Sequence, residues 1–466
     1  MARFSHIVAV LPLVRPRSSG ESGRVTATAD RGRPSVGNVD QGPPSASPRR
    51  WPWFVAFAGF VALVGAAGFR AAPSVLIDPL HAEYGWSRGT ISAAVSVNLV
   101  LYGLISPFAA ALMERFGMRR VVACALLLVG VGSGLTVFMT SSWQLLLLWG
   151  VLVGTGTGAM ALTLVATLTS RWFVRRRGLV SGLLTAGSAA GQLVFLPLVA
   201  MLATRYGWRE ASLAVALAAL GVVPLVLAFL RDHPRDVGTT AYGAGPEDAS
   251  DDAAPPQQQG GSAARAVRVL ADVVRNRTFL LLAGGFAICG ASTNGLIGTH
   301  FVPAAHDHGM PYTTAAGLLA LVGIFDIIGT VASGWLTDRM DPRVLLGVYY
   351  TLRGGALVLL PQLFAPTTEP PMWAFVIFYG LDWVATVPPT VALCRQWFGH
   401  ATGPIVFGWV FASHQLGAAV AAFAAGAARD QLGTYDVAWY GAGGLCVLAT
   451  VMSLRIRRAP EREPSW

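Results

Sequence analysis

Ala110-Ala-Leu-Met-Glu114-Arg115-Phe-Gly117-Met-Arg119-Arg120 returns 224 residues later as Gly334-Trp-Leu-Thr-Asp338-Arg339. Each copy closes a long apolar stretch with an acid and an arginine. Other pairs keep nearly the same spacing: Trp172-Phe173 recurs as Trp397-Phe398 at 225, and Gly182, Gly191 and Gly207 recur as Gly408, Gly417 and Gly433 at 226. The register slips by only two residues across most of a half-chain. One unit has therefore been duplicated in parallel.

Working outward from this loop, the chain alternates apolar stretches of about twenty residues, enough for a helix to cross the hydrocarbon core, with short polar connections. Twelve such stretches are predicted. The first copy supplies 53–77, 90–113, 119–140, 145–169, 178–203 and 210–230; the second supplies 279–302, 315–336, 344–363, 373–394, 404–428 and 437–455. The expected fold is an all-α membrane protein of twelve transmembrane helices, arranged as two parallel six-helix repeats. Composition agrees, with 54% hydrophobic and 12% charged residues against about 25% charged in soluble domains. The domains read as 1–52, a disordered cytoplasmic segment; 53–230, the first bundle; 231–277, a cytoplasmic linker; 278–455, the second bundle; and 456–466, a cytoplasmic tail. Within the linker, Val267, Leu270 and Val274 recur at helical spacing beside Arg265, Arg268 and Arg275, the pattern of a helix lying on an anionic membrane surface.

All 34 basic residues are arginine, and their placement gives orientation. With the N-terminus inside, 28 fall in inner segments and four, Arg88, Arg205, Arg209 and Arg429, in outer loops. Positive loops stay in the cytoplasm, so both termini are expected there, in a multi-pass protein of the plasma (cytoplasmic) membrane. The charge of +10 is thus a topology signal and does not mark a nucleic-acid surface. Cys124, Cys289, Cys394 and Cys446 lie singly and read as reduced, with no disulfide framework. The remaining two arginines, Arg70 and Arg353, fall inside helices.

The repeated loop resembles the signature of the major facilitator superfamily, over about 53–455. The resemblance implies alternating access, with two bundles rocking about a central site. It implies also that Glu114, Arg115, Gly117, Arg119 and Arg120, with Gly334, Asp338 and Arg339, form a conformational latch on the cytoplasmic side. Alanine at position 110 replaces the usual leading glycine, which the second copy keeps at Gly334. Two further segments, Arg171-Trp-Phe-Val-Arg175-Arg-Arg177-Gly-Leu-Val-Ser-Gly182-Leu-Leu-Thr-Ala-Gly187 and Tyr84-Gly85-Trp86-Ser87-Arg88, resemble the monocarboxylate transporter family and its bacterial branch of oxalate–formate exchangers.

Charged groups inside a bilayer are costly and usually functional. Asp326, Asp382, His414 and Arg353 fall near the midplane, and Arg70 precedes Pro73 by three residues in the outer half. Arg70, Asn294, Asp326, Asp382 and His414 are the candidates for substrate binding or proton coupling. A guanidinium takes a carboxylate with two parallel hydrogen bonds, and an imidazole titrates near neutrality. The superfamily resemblance puts the ninth helix outside the path, so Arg353 is expected to form a structural ion pair with Asp326 or Asp382. Many monocarboxylate transporters carry an arginine four residues after the helix-eight aspartate; here that position holds Thr330, which leaves Arg70 as the unassigned cation. Gln192, Thr293, Thr155 and Thr157 add neutral polar groups. Gly154, Gly156 and Gly158 read as helix-packing glycines.

His300, His306 and His308 beside Asp307 offer weak ligand spacing, but a solvated outer loop is the simpler reading, and no metal or cofactor is expected. Nothing in the loops carries a nucleophile elbow, a zinc-protease helix or a nucleotide loop, so the chain is not read as an enzyme. The expected function is proton-coupled transport or exchange of a small monocarboxylate or other organic anion, by a monomer. Efflux of a hydrophobic or drug-like compound is the alternative, and a non-transporting receptor the more distant one.

Overall fold

A backbone crossing hydrocarbon must satisfy its own hydrogen bonds, and the α-helix does so within one segment. The computed structural model describes residues 50–244 and 262–458; the segment 1–49, the middle of the linker and the end of the tail lie outside the described residues. Among the described residues twelve helices are long and apolar enough to cross a membrane. They are α1 (Trp51–Tyr84), α2 (Arg88–Phe116), α3 (Met118–Phe138), α4 (Ser142–Trp172), α5 (Arg177–Arg205) and α6 (Trp208–Phe229), then α7 (Arg277–Asp307), α8 (Tyr312–Thr337), α9 (Pro342–Leu363), α10 (Pro370–Gly399), α11 (Thr402–Leu432) and α12 (Asp436–Leu454). An even number of crossings puts Arg50 and Arg458 on one face, here the terminal face; the opposite one is the far face. Between the bundles runs a short linker helix, Ser262–Val273, held where Trp409 Nε1 of α11 donates to Ala266 O at 2.9 Å.

The repeated glycines do the same work in both halves. Gly191 brings α5 against α1, where a Cβ would stand 2.9 Å from Val64 O. Gly417 brings α11 against α7, where a Cβ would stand 2.0 Å from Ala287 O. Gly207 and Gly433 both carry positive φ, 117° and 74°, and turn the chain at the far face. Gly182 and Gly408 both face open space. In α4, Gly154 and Gly158 lie against α2 at Asn98 and Leu101, and Gly156 against α3 at Ala125, which is helix packing.

Two helices depart from the sequence expectation. α1 runs to Tyr84, beyond 77, and ends where Gly85 adopts φ 67° and its N–H closes on His81 O. α10, expected as one uninterrupted helix over 373–394, is helical to Asp382, opens over 383–386 and resumes at Val387. An open backbone at membrane depth needs polar partners, and these come from α8 and α9.

Candidate functional site

Between the bundles lies a cavity of about 600 Å³ to which seven helices contribute. α1 gives Phe69 and Pro73, α2 Asn98, Leu99 and Tyr102, α4 Thr157, α5 Gln192, α7 Asn294, Gly298 and Thr299, α10 Trp383, and α11 Gln415. A second space of about 380 Å³ adjoins it, lined by Ser74, Leu319, Gly323 and Asp326 and sharing Gln192, Gly298 and Trp383 with the first. The described lining is aromatic and neutral polar, with Asp326 its acid. A π-helical turn, Ala291–Ile297, shapes α7 at the cavity; there Thr299 Oγ1 donates to Asn294 O at 2.9 Å. Such turns often occur at functional sites.

The five candidates from the sequence are distributed unequally. Asn294 and Asp326 line the two spaces. His414 is buried between α7 and α11 against the rings of Phe286 and Phe411, at 4.8 and 5.9 Å; its neighbour Gln415 is the one at the cavity. Asp382 is buried and bound by Arg353. The side chain of Arg70 lies outside the described residues. Its backbone position is informative, however: at about 100° of turn per residue, position 70 falls on the arc of α1 between Pro73 and Ser74, which line the two spaces.

Arg353, fully buried on α9, organises the opening of α10. Its Nε donates to Asp382 Oδ2 at 2.6 Å, its Nη2 to Asp382 O at 2.7 Å and Trp383 O at 3.3 Å, and its Nη1 to Cys289 Sγ at 2.8 Å. From α8, Asp326 Oδ1 accepts from Val384 N at 3.0 Å and from Thr330 Oγ1 at 3.0 Å. Ser333 Oγ donates to Ala385 O at 2.5 Å. Of the two acids open to Arg353 in the sequence, it is therefore Asp382 that pairs with it, and Asp326 is turned to the backbone of α10.

At the terminal face, Asp232, just beyond α6, accepts from Arg119 N at 2.9 Å and so caps α3. Gly117, with φ 85°, leaves the room for it. Among the described residues neither Glu114 nor Asp338 has an ion-pair partner within 4 Å. Arg339 lies over the Trp335 ring at 4.1 Å. His233 is partly buried near Arg171, and desolvation followed by that charge holds its imidazole below the ordinary value.

The far face is tied across the bundles. Asp430 of α11 accepts from Arg88 N at 3.0 Å and Gly89 N at 2.6 Å, capping the start of α2 where the helix dipole favours an anion. Tyr312 OH of α8 donates to Asp78 of α1 at 3.0 Å, and Asp78 pairs with Arg88 at 2.8 Å. Deeper, Ser96 Oγ of α2 donates to Ala419 O of α11 at 2.7 Å. Sequence reasoning passed over this clasp because Asp78 and Asp430 stand at helix ends, where a solvated charge is the ordinary reading. The nearby histidines are separately engaged: His306 stacks on Tyr312, and His308 Nδ1 lies 2.8 Å from Ala304 O.

Two six-helix halves around a polar central cavity, with glycines in matching roles, find a counterpart in a family model, the Major Facilitator Superfamily, which matches residues 55–394. The chain belongs to that superfamily. Its relatives include monocarboxylate transporter 13 of Bos taurus, 29% identical with 89% of this chain and 92% of the relative covered. Monocarboxylate transporter 3 of Rattus norvegicus is 30% identical, with 88% and 80% covered. Among solved structures, a D-xylose–proton symporter superposes with a TM-score of 0.67 at 14% identity, covering 88% of this chain and 98% of that one, a likeness of fold. The protein is a multi-pass transporter of small molecules and is not an enzyme.

Proposed function

We propose that this transporter carries a small monocarboxylate or other organic anion across the cytoplasmic membrane, in proton-coupled transport or exchange, as a monomer with both termini in the cytoplasm. The observation that carries the reading is the place of Arg70, on the cavity arc of α1 between Pro73 and Ser74. A guanidinium there serves as the anion clamp, with Asn294 and Gln192 as hydrogen-bond partners and His414 as the group that loads a proton. The names of the relatives, monocarboxylate transporters, support the substrate class, and the arginine distribution supports the sidedness. Alternating access then has the far face closed by its clasp while the terminal face opens the cavity to the cytoplasm.

Counter-flow into proteoliposomes, with labelled carboxylates beside amphipathic cations, tests the class. Arg70→Ala should abolish carboxylate counter-flow while sparing a neutral analogue, and Arg70→Lys should weaken it, because the charge stays and the bidentate fork goes. Wild-type carboxylate affinity in Arg70→Ala would rule the clamp out. Transport of amphipathic cations alone would turn the reading to its second form, efflux of a drug-like compound, which the aromatic and aliphatic lining of Phe69, Leu99, Tyr102 and Trp383 favours.

A further inference from the structure

We infer that His300 is a proton-binding site of the far face, one that takes its proton only when that face opens, so that closing the face expels it. The inference rests on alternating access and on no property of the substrate. His300 stands about two turns before the end of α7 and is fully buried. Its Nε2 lies 2.8 Å from Ala422 O of α11. A carbonyl oxygen only accepts, so Nε2 carries the hydrogen and Nδ1 of the neutral ring is a bare lone pair. That nitrogen has no hydrogen-bond partner among the described residues. Neither has the OH of Tyr435, just before α12, whose ring centre is 5.2 Å from that of the imidazole.

The stretch of α11 that holds His300 is covered by the other bundle. Ala419 O accepts from Ser96 Oγ of α2 at 2.7 Å, and a Cβ on Gly426 would stand 2.6 Å from Ser92 Oγ; Ala422 lies between these two contacts. The charges that reach His300 and Tyr435 are Asp78 of α1, Arg88 of α2, Asp307 of α7, and Arg429 and Asp430 of α11. Tyr312 of α8 joins them through Asp78. Asp78 pairs with Arg88 at 2.8 Å and Asp307 with Arg429 at 2.6 Å, while Asp430 takes the N–H groups that begin α2. One carboxylate is thus in excess of the guanidiniums, and a proton on His300 would balance it. With the face closed that proton has no place: a second N–H on the ring finds no acceptor, and a buried charged donor without one is costly. Once α2 and α11 part, water reaches Nδ1, the surplus carboxylate attracts the proton, and the far side supplies it.

The test uses the full-length transporter in nanodiscs, without substrate, carrying spin labels at Tyr206→Cys and Thr367→Cys. Both are exposed positions at the far face, one on each bundle, and Cys124→Ser removes the exposed native thiol. Distances from double electron–electron resonance give the ratio of far-open to far-closed molecules. If the closed state takes no proton at His300, the ratio should begin to rise as pH falls through about 6.5 and should be about tenfold higher at pH 5.5 than at pH 7.5. His300→Gln keeps a donor for Ala422 O without a titrating ring, and its ratio should not change over that range. His300→Asn carries the same expectation should that protein not fold. His306→Gln, His308→Gln and His414→Ala should each keep the response. A wild-type ratio that does not move, or moves only below about pH 5, where carboxylates titrate, overturns the site without any substitution. A response that survives in His300→Gln, or is lost with one of the other histidines instead, overturns it as well. Failure of the anion reading would leave these distances as expected, because no substrate is present.

Discussion

A single carboxylate shows how local chemistry sets an element's start. Asp341 accepts from Arg343 N at 3.0 Å and Arg343 Nε at 2.9 Å, so it caps α9 and pairs with the arginine in its first turn. Those bonds hold its carboxyl below the usual range. A depressed folded value contributes stability that is present above the unfolded value, near 4, and is lost as pH falls through the folded one. Asp341→Ala should therefore cost about 1 kcal/mol at neutral pH, as a lost cap does, and the gap in melting temperature from wild type should narrow below about pH 4. A gap constant from pH 7 to pH 3 would assign the loss to packing instead. The sequence marks such residues unevenly. Arg353 and Asp382 stand out because a charge in an apolar stretch is conspicuous, yet the choice between Asp326 and Asp382 as partner depends on how α8, α9 and α10 meet, which no local spacing encodes. The clasp that Asp78 and Asp430 make leaves no trace, since the partners that join them to the other bundle lie 234 and 341 residues away.

Helices were legible in number and approximate extent, because about twenty apolar residues is a threshold set by the membrane. Their interruptions were legible only in part. The opening of α10 has a local signal, Pro388-Pro389 in the first turn of the resumed helix, which lack the N–H groups that would bond the carbonyls of Val384 and Ala385. How the freed backbone is satisfied is not written locally, because Asp326, Ser333 and Arg353 lie on other helices. Glycine spacing showed the duplication, while only packing separates the roles of the repeated positions. Gly417 meets the Ala287 carbonyl, and a Cβ there would stand 2.0 Å from its oxygen. Gly408 meets nothing within 4 Å. Gly417→Ala should lower the melting temperature and the yield of monodisperse protein, in the range of about 1–3 kcal/mol for an overpacked contact. Gly408→Ala should be neutral or slightly stabilising through helix propensity. Equal effects at both would mean that the close approach of α7 and α11 contributes little to the bundle.

At the scale of the whole molecule, the two faces are held by different means. The far face is tied by Asp430 on the start of α2 and by Tyr312 on Asp78, bonds that join one bundle to the other. At the terminal face Glu114 and Asp338 have no ion-pair partner within 4 Å among the described residues; the proposed latch would engage them only when that face closes. Removing a tie from one face moves the population toward opening there, by no more than the free energy the tie contributes. A carboxylate at a helix N-terminus contributes up to about 2 kcal/mol, a factor of about 5–30 for one to two kcal/mol. Asn98→Cys places a thiol in the cavity. Its reaction with an impermeant reagent applied from the far face should accelerate by about that factor in Asp430→Ala. Glu114→Ala and Asp338→Ala should slow the same reaction, because they weaken the state in which the far face is open. Opposite signs from acids at opposite faces are what two alternating gates require. Acceleration by all three substitutions would point to general loosening of the fold, and no change in any would reduce both clusters to surface charge.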